Sequence, residues 1–365
     1  MRTVLNKVFR RIVDLVRYSN RDIQQDKKNV FIDIDAKILV RRIKELFIIF
    51  ELSGYAVFFR ARFNRLTISV AGILASYRNV SLTWREPTRH KYSILCTNKN
   101  LKSWHNRVNI QKNIHLTFDY SPKLKLDSTN FALPFLMHTQ IYTQYHDDKK
   151  LSFYRKLTKI IKILFAGNWS KVYHNATICN ICSMLSRYEI IKYIISENLA
   201  KIVHSEEEFD LLLSGEYSNL FVLIDTSSMR INQQRWLEVI SYAEFLLSPP
   251  GVTMPLSANA IEAMAVGTIP IINYSQWFLP PFKHNVNCLT FNSLVGLKET
   301  IKQALEMGGQ RITNLRNKVI EHYDDKLNLN KSLQRIVSCP DKHVHLHMWS
   351  ENPDYIRKAM GYQQD

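Results

Sequence analysis

"SPPGVTMPLSANAIEAMAVGTIPII" occupies Ser248–Ile272 and holds two of the chain's ten glycines and four of its eleven prolines. The residues before it, "EFLLS" from Glu244, read as a strand that Pro249, Pro250 and Gly251 stop and turn. Ser257 is a good N-cap, so "ANAIEAMAVG" (258–267) reads as a helix closed by Gly267, and "IPIINY" (269–274) as the next strand. The first turn of such a helix offers unpaired N–H groups and the positive end of a dipole, which suits an anion. Glu262 lies about one and a half turns in, among Ala258, Ala260, Ala263 and Ala265. A carboxylate among such small residues can accept two hydrogen bonds from a cis-diol, as an acidic residue does for a ribose in dinucleotide sites. The same spacing also suits a purely structural strand–helix corner with an exposed glutamate.

Outward from this stretch, strand-like runs alternate with helical periodicity. "NVFIDI" (29–34), "YAVFFRA" (55–61), "YSILCTN" (92–98) and "NIHLTFDY" (113–120) read as strands, and 36–54 as a helix ending at Gly54. The polar segment 142–156 reads as a linker. A second series follows: strands at 161–168, 200–205, 220–225, 244–250, 269–274 and 287–291, with helices at 176–198, 234–243, 258–267 and 296–308. Such alternation predicts parallel sheets with crossover helices. The chain has 365 residues, which predicts two domains: 1–150, 151–330, and a terminal segment 331–365.

The formal net charge of +17 favours a polyanionic partner: nucleic acid, an anionic membrane surface, or phosphorylated small molecules. A lysine- and arginine-rich solvated surface is the plain alternative. No nucleic-acid module is legible, neither a helix-turn-helix, nor an aromatic RNP motif, nor a zinc finger. Apolar runs are too short to span a bilayer. Residues 1–20 pattern as a basic amphipathic helix, suited either to an anionic membrane or to packing on the domain surface. Five scattered cysteines argue against a disulfide framework, and the lone CxxC of Cys179 and Cys182 against a zinc site, so a reducing cytoplasm is expected.

The central stretch, with "YAEFLLSPPG" before it and "LPPF" after it, resembles the donor-binding region of two-domain (GT-B fold) glycosyltransferases and is most similar to the exostosin-like branch. The resemblance covers roughly 160–305. It implies an α/β fold of two Rossmann-like domains facing across a cleft, with the C-terminal segment crossing back. It implies an enzyme that moves a sugar from a nucleotide-sugar donor to a glycan or lipid-linked acceptor in bacterial surface-polysaccharide synthesis, such as lipopolysaccharide or capsule. By position, Glu262 matches the ribose glutamate, and Ser257, Ala258 and Asn259 the helix start that faces the donor phosphates. Gly167 and Asn168 match the first glycine-bearing loop, and Gly251 the turn after the strand. Arg230 and Arg235 are looser candidates for phosphate charge. Many retaining members carry an acidic residue where this chain has Met254, so the resemblance leaves the stereochemistry open.

No cofactor or metal is expected, since backbone N–H groups and arginines can stabilise a leaving phosphate. "DID" (33–35) has the letters of a metal motif but ends the first strand. His343, His345 and His347 share one face if "HVHLH" is a strand, which suits a metal or, better, a surface or interdomain strand. His138, in "FALPFLMHTQIYTQ", and Asp119 are the candidates for a general base; a packed histidine is the other reading of His138. The expected location is cytoplasmic and peripheral at the inner face of the membrane, with no specific nucleic-acid partner. A non-catalytic sugar-nucleotide- or nucleic-acid-binding protein is the alternative.

Overall fold

A computed structural model describes residues 13–19, 28–34, 40–84, 92–99, 110–144, 148–173, 176–350, 354, 356 and 357. The fold is α/β, built on two sheets whose strand pairs all run parallel. Contacts group the chain into two units: 1–118, 125–133 and 329–348 in one, and 119–124, 134–328 and 349–365 in the other.

The first sheet contains β1 (Asn29–Asp33), β2 (Ala56–Arg60), β3 (Val80–Thr83), β4 (Ile94–Thr97), β5 (Lys112–Thr117), β6 (Asn130–Ala132) and β13 (His343–His347), in the order β3-β2-β1-β4-β5-β13-β6. β1 and β4 are buried throughout apart from the first residue of β1, as expected of parallel strands covered on both faces. "HVHLH" is a strand with His343 and His345 at the surface, as expected, but it is an inner strand of the first sheet. It pairs with β5 through His345↔His115 and with β6 through His345↔Asn130, inside the sheet. Its alternation is visible in burial: His343 and His345 are exposed, Val344 and Leu346 buried. Among the described residues no group of three histidines, cysteines or acids could hold a metal.

The second sheet contains β7 (Ile161–Gly167), β8 (Lys201–Val203), β9 (Phe221–Asp225), β10 (Ala243–Leu247), β11 (Ile269–Ile272) and β12 (Leu289–Thr290). Its order is β12-β11-β10-β7-β9-β8. The chain starts at β7, runs to the far edge with β8, comes back beside β7 with β9, then crosses to the other side of β7 with β10. The junction of β7 and β10 is therefore a topological switch point, where open parallel sheets receive ligands at the strands' carboxyl ends.

Two further expectations change. The periodic run 176–198 is two helices, Ala176–Cys182 and Arg187–Ser196. Ser183 takes a left-handed φ of 52°, and Ser186 then caps the second helix with a full capping box: its hydroxyl accepts from Glu189 N–H while the Glu189 carboxylate accepts from Ser186 N–H. The segment expected as a linker carries the helices Thr139–Gln144 and Asp148–Arg155. Arg155 anchors the latter, with paired hydrogen bonds to Asp324 at 2.8 and 2.9 Å and one to the Ala265 carbonyl at 2.8 Å. Of the basic N-terminal helix only residues 13–18 lie within the described part and are helical; residues 1–12 and 20, like Asp35 of "DID", lie outside it. Among the described residues no helix is long and apolar enough to cross a membrane.

Candidate functional site

β10 ends at Leu247, and buried Ser248 leads into Pro249, Pro250 and Gly251. Gly251 N–H donates to the Pro255 carbonyl at 3.2 Å, closing a tight turn. A Cβ at Gly251 would stand 2.8 Å from the Met254 carbonyl oxygen and 3.1 Å from that of Leu256, so the turn accepts only glycine. The turn delivers Ser257 as N-cap of the helix Ala258–Ala265, as expected, but the Ser257 hydroxyl does not cap that helix. It lies instead close enough to the Tyr274 hydroxyl to favour the ionised form of that phenol. Tyr274 follows β11, is fully buried, and also meets Ser248 Oγ at 3.3 Å. Burial pushes its phenol far above the ordinary range, so it stays a neutral hydroxyl.

Arg187, the first residue of its helix, completes the cluster. Only 8% of its surface is exposed. Its guanidinium lies 4.2 Å over the Tyr173 ring, and Nη1 donates to the Asn168 carbonyl at 3.4 Å. Its Nε is buried with no partner. The groups that favour its charge are the tyrosines Tyr173 and Tyr274, while burial opposes it and lowers its pKa. No carboxylate neutralises it among the described residues. An arginine does not shed its proton, so a buried guanidinium without a carboxylate calls for an anion. Around it stand the Gly167–Asn168 loop at the end of β7, the hydroxyls of Ser248, Ser257 and Tyr274, and a helix start with no side-chain cap. That donor set suits phosphate oxygens.

Asn168 shapes its own loop, accepting Ser170 N–H on Oδ1 at 2.7 Å. The structure thus brings Gly167, Asn168, Gly251 and Ser257, the last leading directly into Ala258 and Asn259, to the carboxyl ends of β7 and β10.

Glu262 is placed differently from a free ribose ligand. It is 1% exposed, and both carboxylate oxygens are engaged: Oε1 accepts from the His138 backbone N–H at 2.8 Å, Oε2 from Trp236 Nε1 at 2.6 Å. Burial raises its pKa, partly opposed by those two donors. The glutamate ties the helix Ala258–Ala265 to the helix Trp236–Ser241 and to the segment at His138. A diol would share its oxygens through their remaining lone pairs.

His138 is exposed, with Nδ1 at 2.6 Å from Gln233 Nε2. With the amide donating, Nδ1 is the accepting nitrogen and the lone pair a general base needs is already engaged. Asp119 is exposed just beyond β5, and both it and His138 group with the second unit rather than the first. Arg230 and Arg235 are exposed, and Arg235 lies 3.7 Å from Glu238 Oε2, so neither shares the burial that sets Arg187 apart. Cys179 and Cys182 are free and buried, their thiols pushed up to about 11 and about 12 by burial, which leaves them protonated and unreactive.

Arg187 is the residue that sequence reasoning missed. Reading 176–198 as one helix put it mid-helix. The signal was present in "SRYE" (186–189), the Ser-x-x-Glu of a capping box, which starts a helix there and sets Arg187 at its first position.

Several solved structures are similar to the chain. Alr3699/HepE of Anabaena, in complex with UDP and glucose, matches 86% of this chain and 99% of its own at 10% identity, with a TM-score of 0.42. A glycosyltransferase from Rickettsia africae ESF-5 matches 85% of this chain and 97% of its own at 10% identity and a TM-score of 0.43. WaaG, a glycosyltransferase involved in lipopolysaccharide biosynthesis, matches 85% and 98% at 11% identity and a TM-score of 0.33. No family model and no curated protein matches the chain.

Proposed function

We propose that the chain is a glycosyltransferase that takes its sugar from a nucleotide diphosphate donor. The observation that carries this reading is Arg187, a buried cation with no carboxylate partner among the described residues, at the switch point of the second sheet. The resemblance of 160–305 to GT-B donor domains supplies the reaction. In glycosyl transfer the bond from the anomeric carbon to the phosphate oxygen breaks, and negative charge grows on the leaving diphosphate. A guanidinium already fixed beside hydroxyl donors stabilises that charge without reorganising. Because its charge is permanent, it supplies what a divalent metal supplies in other transferases, and the proposed reaction needs no metal. The proposed acceptor is a glycan or lipid-linked saccharide of a bacterial surface polysaccharide, with the enzyme cytoplasmic and peripheral on an anionic membrane. The exposed Val13 and Val16 of the helix at 13–18 and the net charge of +17 support that contact.

The test is a screen of sugar nucleotides for release of free nucleotide, with a lipid-linked or oligosaccharide acceptor, with and without chelator. Activity that vanishes with chelator and returns with manganese would overturn the metal-free mechanism. No binding of UDP, GDP or CMP, alongside salt-dependent binding of oligonucleotides, would overturn the transferase in favour of nucleic-acid binding.

A further inference from the structure

The second unit holds a cavity of about 520 Å³ at the carboxyl ends of β11 and β12 and against the helix Leu294–Glu306. That volume falls within the range of small-molecule sites. Its chemistry differs from that around Arg187. Among the described residues no lysine or arginine lines it, and its one carboxylate is Glu299. A phosphate therefore has no cation on the cavity wall; Arg311, which acts on His284, is held by Asn285 Oδ1 at 2.8 Å. Its one aromatic ring besides the His284 imidazole is Phe291, which is buried at 6% exposure and offers no open face to stack a nucleobase.

What remains is a mixed set of neutral donors and acceptors. Asn273 spends its amide N–H on the Leu185 carbonyl at 2.9 Å and its Oδ1 is closed off from solvent, so it shapes the wall of the cavity without offering it an acceptor. Gln303 spends its amide nitrogen on Asn285 Oδ1 at 3.0 Å, which leaves its oxygen as an acceptor. His284 Nδ1 accepts from Thr290 N–H at 2.9 Å, so its ring proton sits on Nε2 as a donor. Its pKa is lowered by burial and by Arg311, so it stays neutral. Gln276 and Asn292 add amides that donate and accept. Hydroxyl groups, each donor and acceptor at once, are the ligand chemistry that matches acceptors beside donors with no net positive charge.

We propose that this cavity binds a neutral saccharide unit, at a site separate from the Arg187 anion site and independent of any nucleotide. The full chain is titrated by saturation-transfer NMR and calorimetry. The probes are methyl glycosides of neutral hexoses and N-acetylhexosamines and their disaccharides, with glucuronate and glucose 6-phosphate as anionic comparators. The expected result is millimolar binding of at least one neutral glycoside, weakened about tenfold in Glu299→Ala/Gln303→Ala at unchanged melting temperature, with weaker binding of both anions. Asn292→Trp, which fills the cavity from an exposed position, should abolish binding. The proposal is overturned if no neutral glycoside binds at tens of millimolar, if binding is unchanged in both variants, or if the anions bind as tightly.

Discussion

The two sheets close their carboxyl edges in opposite electrostatic ways. In the first, Asp33 ends β1 fully buried and is flanked by two cations: Arg62, which also donates to the Ile34 carbonyl at 3.0 Å, and Lys99, at 3.2 and 3.4 Å from its two oxygens. Its charge is answered from within the chain. In the second, Arg187 is buried with tyrosines and hydroxyls around it and no carboxylate among the described residues. Both edges are switch points of parallel sheets, and only the second leaves a buried charge for a ligand to answer. A charged residue at a strand end marks a binding site only when its own neighbours fail to neutralise it.

Arg187→Met is the change that should break this comparison most sharply. Affinity for a nucleoside diphosphate should fall about 100-fold, while thermal stability holds or rises, because an apolar side chain replaces a buried cation without a carboxylate. Unchanged affinity by calorimetry would remove Arg187 from the site. Asp33→Asn should act the other way round. It leaves Arg62 and Lys99 facing each other and should cost about 2 kcal/mol of stability, held below the fully buried value by the solvent reaching both cations. Urea titration checks the loss, and nucleotide affinity should not move.

Lys159 offers a third kind of cation, half-buried. Its ammonium donates to the Ser241 carbonyl at 2.6 Å and to Thr268 Oγ1 at 3.4 Å, and burial, helped by Arg316, lowers its pKa to about 7. Unlike arginine it can lose its charge. Between about pH 7 and its unfolded value near 10.5 the unfolded chain holds a proton that the folded chain does not, so stability should rise with pH across that window. Below pH 7 both states are protonated and this contribution is flat. Lys159→Met should flatten the rise in urea titrations from pH 7 to 9.5; a slope that persists in the variant would assign it to another group.

Trp236→Phe removes one of the two donors to Glu262 and should lower stability by about 1 kcal/mol, read by thermal melting. If Glu262 also holds a ribose, Glu262→Gln should weaken nucleotide binding more than Trp236→Phe does. The smallest effect belongs to Arg230→Ala/Arg235→Ala. Both residues are exposed, and nucleotide affinity should stay within about twofold; a larger loss would extend the anion site to them.

The strands were legible because parallel strands covered on both faces read as unbroken apolar runs: "ILFA" in β7 and "IPII" in β11 name themselves. The turn at Gly251 was legible because prolines and a glycine fix a backbone state locally, and Ser257 marked the helix start although its hydroxyl does not cap it. Less legible was whatever depended on distant partners. Nothing near Glu262 in the sequence announces that Trp236 and the backbone of His138 take up its oxygens. The isolation of Arg187 is a property of what surrounds it in space, and the sequence around it contains Glu189, which the capping box diverts to Ser186. The identity of β13 as an inner strand was hidden for the same reason, since its partners β5 and β6 lie more than 200 residues earlier.

That inner strand sets the order of events during synthesis. β5 and β6 face a gap that only residues 343–347 can fill, so the first unit cannot finish its sheet while the ribosome is still making the second. The earliest part of the chain to emerge is then the last to close, and until it does, two strand edges wait open to any neighbouring chain.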